Sequence, residues 1–146
     1  MTLRKILIVA GFAAAAVWGA TAHALDSGAT NPVVVTPIRS TTVTSTGQSI
    51  TPPQKNVEVA ASIYDIAPGA TLPVHKHPFP RYAYVLAGTL TVTNVDTGQS
   101  DTFKTGDFIV EMIDEWHFGA NAGADPVKLL VIDQIEAGAA ATILKQ

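Results

Sequence analysis

Glycine and proline cut the second half of this chain into runs too short for helices. Val57 to Ile66 is stopped by Pro68-Gly69, Tyr82 to Ala87 by Gly88, Leu90 to Val95 by Asp96-Thr97-Gly98, and Ser100 to Lys104 by Thr105-Gly106. Asp107 to Met112 and Glu115 to Ala120 follow, then a loop at Asn121 to Pro126. The last strong run is Val127 to Ile135, centred on Leu129-Leu130-Val131-Ile132. Leu90 and Val92 alternate with Thr91 and Thr93, the pattern of a half-buried strand. No stretch here sustains a 3.6-residue period over three turns. Short strands at close spacing, joined by glycine-led turns, predict an all-β sandwich or barrel. Ala137 to Leu144 is alanine-rich and suits a short helix or a terminal strand equally.

The first residues read differently. Arg4 and Lys5 precede an uncharged apolar run of 13 residues, Ile6 to Trp18, and Ala22-His23-Ala24 offers a small-x-small cleavage pattern. This is the anatomy of a secretory signal peptide. The run is short for a membrane-spanning helix, which needs about 20 residues. The expected organisation is a signal peptide over 1–24, an extended N-terminal segment over 25–56, a barrel over 57–136 and a C-terminal tail over 137–146. Pro32 to Ile50 is rich in Val and Thr, which favours extended chain, and Thr51-Pro52-Pro53-Gln54 breaks it. The expected location is periplasmic or secreted, with no membrane attachment after cleavage.

Of 146 residues, 47% are hydrophobic and 14% charged, enough apolar surface for one domain with its own core. Nine Lys+Arg stand against 12 Asp+Glu with no basic cluster, so no nucleic-acid surface is expected. The chain has no Cys, which excludes disulfides, thiolate metal sites and Cys nucleophiles. There is no G-x-S-x-G, no phosphate loop and no dinucleotide fingerprint.

After cleavage three histidines remain. His75 and His77 lie two apart, and in extended chain such residues point to one side. Pro78 and Pro80 keep the following backbone extended and end the ladder. His117 comes 40 residues after His77, in a different short run that a closed barrel can bring alongside. Three imidazoles meeting in an apolar cavity would make a site for a divalent transition metal. The bland reading of such a pair is one surface residue and one satisfied core group. Glu111 ends the run Phe108-Ile109-Val110, where a charge is out of character for a buried strand. It either faces the cavity, as a ligand or general base, or faces solvent at the strand end. Glu115 reads as a solvated turn residue. Tyr82, Tyr84, Phe79 and Trp116 suit a pocket mouth or the barrel core, with core the better expectation.

The spacing of these residues resembles the two short motifs of the cupin family. Gly69, five residues, His75-Lys76-His77, three residues, Arg81, six residues and Gly88 follow the first motif. Gly106, five residues, Met112-Ile113-Asp114, two residues, His117 and Asn121 follow the second. The stretch from His75 to Asn121 resembles a group of small single-domain cupins that carry His-x-His-Pro, Tyr-Val-Leu-x-Gly and Trp-His-x-Gly-x-Asn. The resemblance implies a single-domain cupin barrel of the double-stranded β-helix, or jelly-roll, type. It implies His75, His77 and His117 as metal ligands for Fe, Mn, Ni, Cu or Zn, and homodimers as a common assembly. Two departures stand out. Met112 and Asp114 replace the Pro and Gly of the second motif, and Arg81 stands where the family has a glutamate ligand. Arg81 can point to solvent, can line the cavity and bind an anionic substrate through its fork, or can mark a metal-free polar pocket.

Three functions are compatible with these residues. The first is a metal-dependent enzyme, with dioxygenase- or isomerase-like chemistry on a small organic molecule implied by the family. The second is a barrel that binds a small ligand or metal without turnover. The third is a scaffold that uses Pro32 to Ile50 to add a strand to a partner.

Overall fold

A computed structural model describes residues 33–146. The expected signal peptide and the start of the extended segment lie outside the described residues. Residues 37–146 form one compact unit. Its strands are β1 (Val57–Ile66), β2 (His75–Lys76), β3 (Arg81–Ala87), β4 (Thr89–Asn94), β5 (Ser100–Lys104), β6 (Phe108–Val110), β7 (His117–Ala120), β8 (Val127–Glu136) and β9 (Ile143–Leu144). No helix occurs among the described residues. The alanine-rich C-terminus thus resolves to turns and a terminal strand.

Two antiparallel sheets make the barrel, one ordered β1-β8-β3-β6 and the other β5-β4-β7-β2-β9. Alternation decides what each strand buries. In β3, Arg81, Ala83 and Val85 point inward, and in β8 the inward residues are Val127, Leu129, Val131, Asp133 and Ile135. The core between the sheets joins Ala83, Val85, Leu129 and Val131 to Leu90, Val92 and Ile109 from other strands and to Met112 just after β6. Burying an aliphatic side chain of this size stabilises by about 1.5–3 kcal/mol, and that burial holds the two sheets together.

A short N-terminal segment braces one end. Val43 and Ser49 bridge to each other, and Ser45 N–H donates to the Val110 carbonyl at 2.8 Å. The Gln48 amide acts like a missing strand. Its Nε2 donates to the Ile113 carbonyl at 2.7 Å and its Oε1 accepts from Ile113 N–H at 2.8 Å. These bonds grip the chain on both sides of Glu111. At the other end, Asn121 ties down the loop after β7. Its Nδ2 donates to the carbonyls of Ile66 (3.0 Å) and Asp125 (2.9 Å), and its Oδ1 accepts from Gly123 N–H.

Gly88 turns β3 into β4 with φ 79°, and a Cβ there would stand 2.6 Å from the Pro126 carbonyl oxygen and 2.9 Å from Val127 Cα. Gly98 also has positive φ, 71°, but nothing lies within 4 Å of its missing Cβ. Gly98→Ala should therefore cost only about 1 kcal/mol of backbone strain. Gly88→Ala should cost about 3 kcal/mol or more, because strain and a backbone clash add. Urea midpoints of the two variants measure the difference, and equal midpoints would contradict the close approach.

Candidate metal centre

The register of two short strands builds the site. β2 pairs with β7 so that His75 and His117 are direct cross-strand partners, which puts both rings on one face. His77 leaves the strand after one more residue and bridges Ile113 in parallel, so its ring joins the other two. Ring centroids lie 4.8 Å (His75–His77), 4.5 Å (His75–His117) and 5.0 Å (His77–His117) apart. All three histidines are buried. The fourth member is Glu111, delivered from the end of β6. Its Oε2 lies 3.1 Å from His77 Nε2 and 3.4 Å from His117 Nε2. One ligand atom from each of the four residues falls within 4.8 Å of every other.

Each imidazole is oriented through its other nitrogen. His75 Nδ1 contacts the Pro73 carbonyl at 2.7 Å, His77 Nδ1 the Ala141 carbonyl at 2.9 Å, and His117 Nδ1 the Glu115 carbonyl at 2.8 Å. A carbonyl only accepts, so each Nδ1 carries a proton and each ring turns its Nε2 toward the cluster. Those nitrogens face one another and the Glu111 oxygen. His117 Nε2 is buried and makes no hydrogen bond, although Glu111 Oε2 lies 3.4 Å away. Facing acceptors need a cation between them, a proton or a metal ion. A donor set of three imidazoles and one carboxylate suits a divalent transition metal.

Charge states agree with this arrangement. Burial, the main cause, lowers the His75 pKa to about 4, against the help of its Pro73 hydrogen bond, so the ring is neutral near pH 7. Burial pushes the Glu111 carboxyl up, but His117, His77 and Arg81 outweigh it and hold the group well below the usual carboxylate range. Glu111 is thus an ionised, mostly buried carboxylate that faces the cluster, not solvent.

Arg81 is buried, which removes the solvent-facing alternative. Its guanidinium is already occupied. Nε donates to Asp133 Oδ1 at 2.6 Å and one terminal nitrogen donates to Asp133 Oδ2 at 3.1 Å and to Thr142 Oγ1 at 3.0 Å. The remaining terminal nitrogen lies 3.4 Å from His77 Nε2. Desolvation works against the charge, yet the Asp133 hydrogen bonds prevail and raise the guanidinium above its ordinary value. Arg81 and Asp133 are register partners on β3 and β8, so the pair is set by the sheet itself. The carboxylate expected at position 81 is replaced in space by Glu111 from another strand.

Beside the cluster lies a chamber of about 160 Å³, lined by Leu72, Leu90, Val92, Leu129 and Val131 and by Tyr64 among others. The aromatics expected in the core sit elsewhere. Period two turns Tyr82 and Tyr84 outward from β3, where Tyr82 stacks on Phe108 at 6.1 Å. Trp116 lies under the ammonium groups of Lys76 (5.0 Å) and Lys145 (5.5 Å), and Phe79 is half-buried. Their polar edges and large rings find room on the outer surface that a narrow barrel interior denies them. Asp133, Thr142 and the Ala141 carbonyl belong to the site and were not singled out from the sequence. Asp133 had a signal, a lone acid at an inward position of the apolar run Leu129 to Ile135. The backbone carbonyl of Ala141 had none.

Residues 62–133 match the cupin domain family. The sequence matches no curated protein. A protein with a double-stranded β-helix domain from Klebsiella pneumoniae superposes with a TM-score of 0.51 at 19% identity, over 67% of this chain and 82% of that one. The polyketide cyclase RemF from Streptomyces resistomycificus gives 0.51 at 19% identity, over 60% of this chain and 62% of that one. Likeness at that identity speaks for the fold alone. The oxalate decarboxylase of Lactobacillus farciminis, in its formate complex, gives 0.50 at 26% identity, over 59% of this chain and 26% of that one. This chain therefore spans less than two thirds of the cyclase and about a quarter of the decarboxylase.

Two outcomes follow from the burial of these charges. Arg81→Ala leaves Asp133 unpaired inside the barrel and should cost about 3–5 kcal/mol in urea unfolding, whereas Arg81→Met combined with Asp133→Leu should recover most of the loss. An Arg81→Ala midpoint near that of the parent would show the pair to be solvated. In metal-free protein, the unfolded chain protonates His75 near pH 6.5 while the folded one waits until about 4. Between those values the unfolded state binds more protons, so stability should fall as pH drops from 6.5 to 4, and below about 4.5 the depressed Glu111 carboxyl should extend the fall. His75→Gln should flatten the profile above about pH 5, and a slope that survives there would assign it to another group.

Proposed function

Residues 62–133 are a cupin domain, and on that premise we propose that this chain is an exported metalloprotein that acts on a small organic molecule inside its barrel. His75, His77, His117 and Glu111 would hold one divalent transition ion among Fe, Mn, Ni, Cu and Zn. Four ligand atoms within 4.8 Å of one another, three of them on buried imidazoles fixed by Nδ1 contacts to carbonyls, carry this reading. The bound ion would supply Lewis acidity to an oxygen donor of the substrate.

The chain's own residues do the rest. The carbonyls of Pro73, Ala141 and Glu115 fix which nitrogen each ring presents, and such outer contacts are worth about 10–100-fold in metal affinity. Ionised Glu111 neutralises one charge of the ion. The Arg81–Asp133 pair fills the wall beside His77 and stops Arg81 from swinging onto a substrate anion. Leu90, Val92, Leu129 and Val131 exclude water from the space where the substrate lies. Export is inferred from Arg4-Lys5, the apolar run Ile6 to Trp18 and Ala22-His23-Ala24.

Elemental analysis of protein purified without chelators or a histidine tag should find close to one transition ion per chain. His117→Ala and Glu111→Ala should each weaken binding of Co²⁺, added to stripped protein, at least about tenfold. Affinity should decline with falling pH and be lost near pH 4, where folded His75 takes a proton. Stripped protein that takes up no Co²⁺, Mn²⁺ or Zn²⁺ would overturn the proposal. Equal affinity in His117→Ala would show that the ligands are misassigned.

A further inference from the structure

Resting on the metal assignment above, the geometry points to a ligand class: we propose that the barrel takes a molecule with a single oxygen-donor head and a compact apolar body, and rejects dicarboxylates. Polar side chains line the chamber in three places: the cluster of His75, Glu111 and His117, the wall of Arg81 with Thr142, and Tyr64. The second place is already paired with a carboxylate. Two nitrogens of the Arg81 fork hold both oxygens of Asp133, at 2.6 and 3.1 Å, and Thr142 Oγ1 accepts from the same guanidinium. Asp133 also cancels the charge that would draw a second carboxylate inward. A head group therefore has one station, the metal cluster.

Beyond that station the walls are mostly hydrocarbon. Leu72, Leu90, Val92, Leu129 and Val131 line the chamber, with Tyr64 the aromatic among them. Arg81 lies 5.9 Å from the Tyr64 ring, which further shields its cation from the chamber. A volume of about 160 Å³ matches apolar cavities that hold benzene, so the body has roughly six carbons. Gly119 sets one limit, since a Cβ there would come within 3.2 Å of Leu72 Cδ1 and 3.3 Å of Leu90 Cδ1. A side chain at that position would occupy space otherwise open to the ligand. Each methylene placed against these walls should tighten binding about fourfold, until the chamber is full. A distal carboxylate meets the Tyr64 hydroxyl but no unpaired cation there, so its desolvation goes largely uncompensated.

Two arms test this and separate it from the metal assignment. In metal-free protein, benzene binding followed by NMR should perturb the methyls of Leu90, Leu129 and Val131. It should be lost in Leu72→Trp, at a half-buried position, and in Gly119→Val, both of which fill the chamber. In Co²⁺-loaded protein, calorimetry with acetate, butyrate and hexanoate should show affinity rising by at least tenfold across the series. Adipate, with the same six carbons and a second carboxylate, should bind at least tenfold more weakly than hexanoate. A flat series, or adipate equal to hexanoate, would overturn the ligand class while leaving the metal site standing. Failure to load Co²⁺ would overturn the metal site, and the benzene arm would still decide the apolar chamber. Absence of benzene shifts would reject that chamber as a binding space.

Discussion

Four polar side chains converge inside an apolar barrel with their lone pairs turned toward one another, and the fold must hold them there against their mutual repulsion. The β2–β7 register does most of this by making His75 and His117 direct partners. Backbone carbonyls at Pro73, Ala141 and Glu115 then lock the rings. The cost is a buried nitrogen without a hydrogen-bond partner, His117 Nε2. Sites of this kind are tolerated because a cation relieves them.

The same site depends on parts of the chain that look peripheral. The Gln48 amide grips Ile113 on one side of Glu111, and Ser45 grips Val110 on the other. Without that brace the carboxylate would sit on a strand end free to fray. The C-terminal residues serve similarly. Ala141 supplies a carbonyl to His77, Thr142 receives Arg81, and β9 pairs with β2 at His75 and Lys76. A segment that reads as an alanine-rich tail thus closes one side of the cluster.

Arg81 shows how one substitution is absorbed. A guanidinium facing three imidazoles would repel a bound cation, and burial alone would make it costly. Asp133, directly across on β8, answers both problems with two hydrogen bonds. The carboxylate missing at position 81 reappears at Glu111, one strand away. The site thereby keeps a carboxylate beside its imidazoles while its wall carries a neutralised pair. What distinguishes the chamber chemically is that this pair leaves no free charge on the apolar side.

Much of the architecture was legible in the residues. Glycine and proline marked the turns, and the runs between them matched β1, β3, β4, β5 and β8 within a residue or two, because strand limits are set locally by backbone propensity and turn chemistry. Outward rotation of Tyr82 and Tyr84 was not legible, since alternation fixes which residues share a face but not which face meets the core. The two-residue spacing of His75 and His77 identified a common side. Local chemistry therefore determined the strands, the turns and the candidate histidines. Only the folded barrel decided that Glu111 joins them, that Asp133 claims Arg81 and that a carbonyl 64 residues along the chain orients His77. Those are contacts between distant strands, and their register arises from sheet closure, a property of the whole chain that no local window contains.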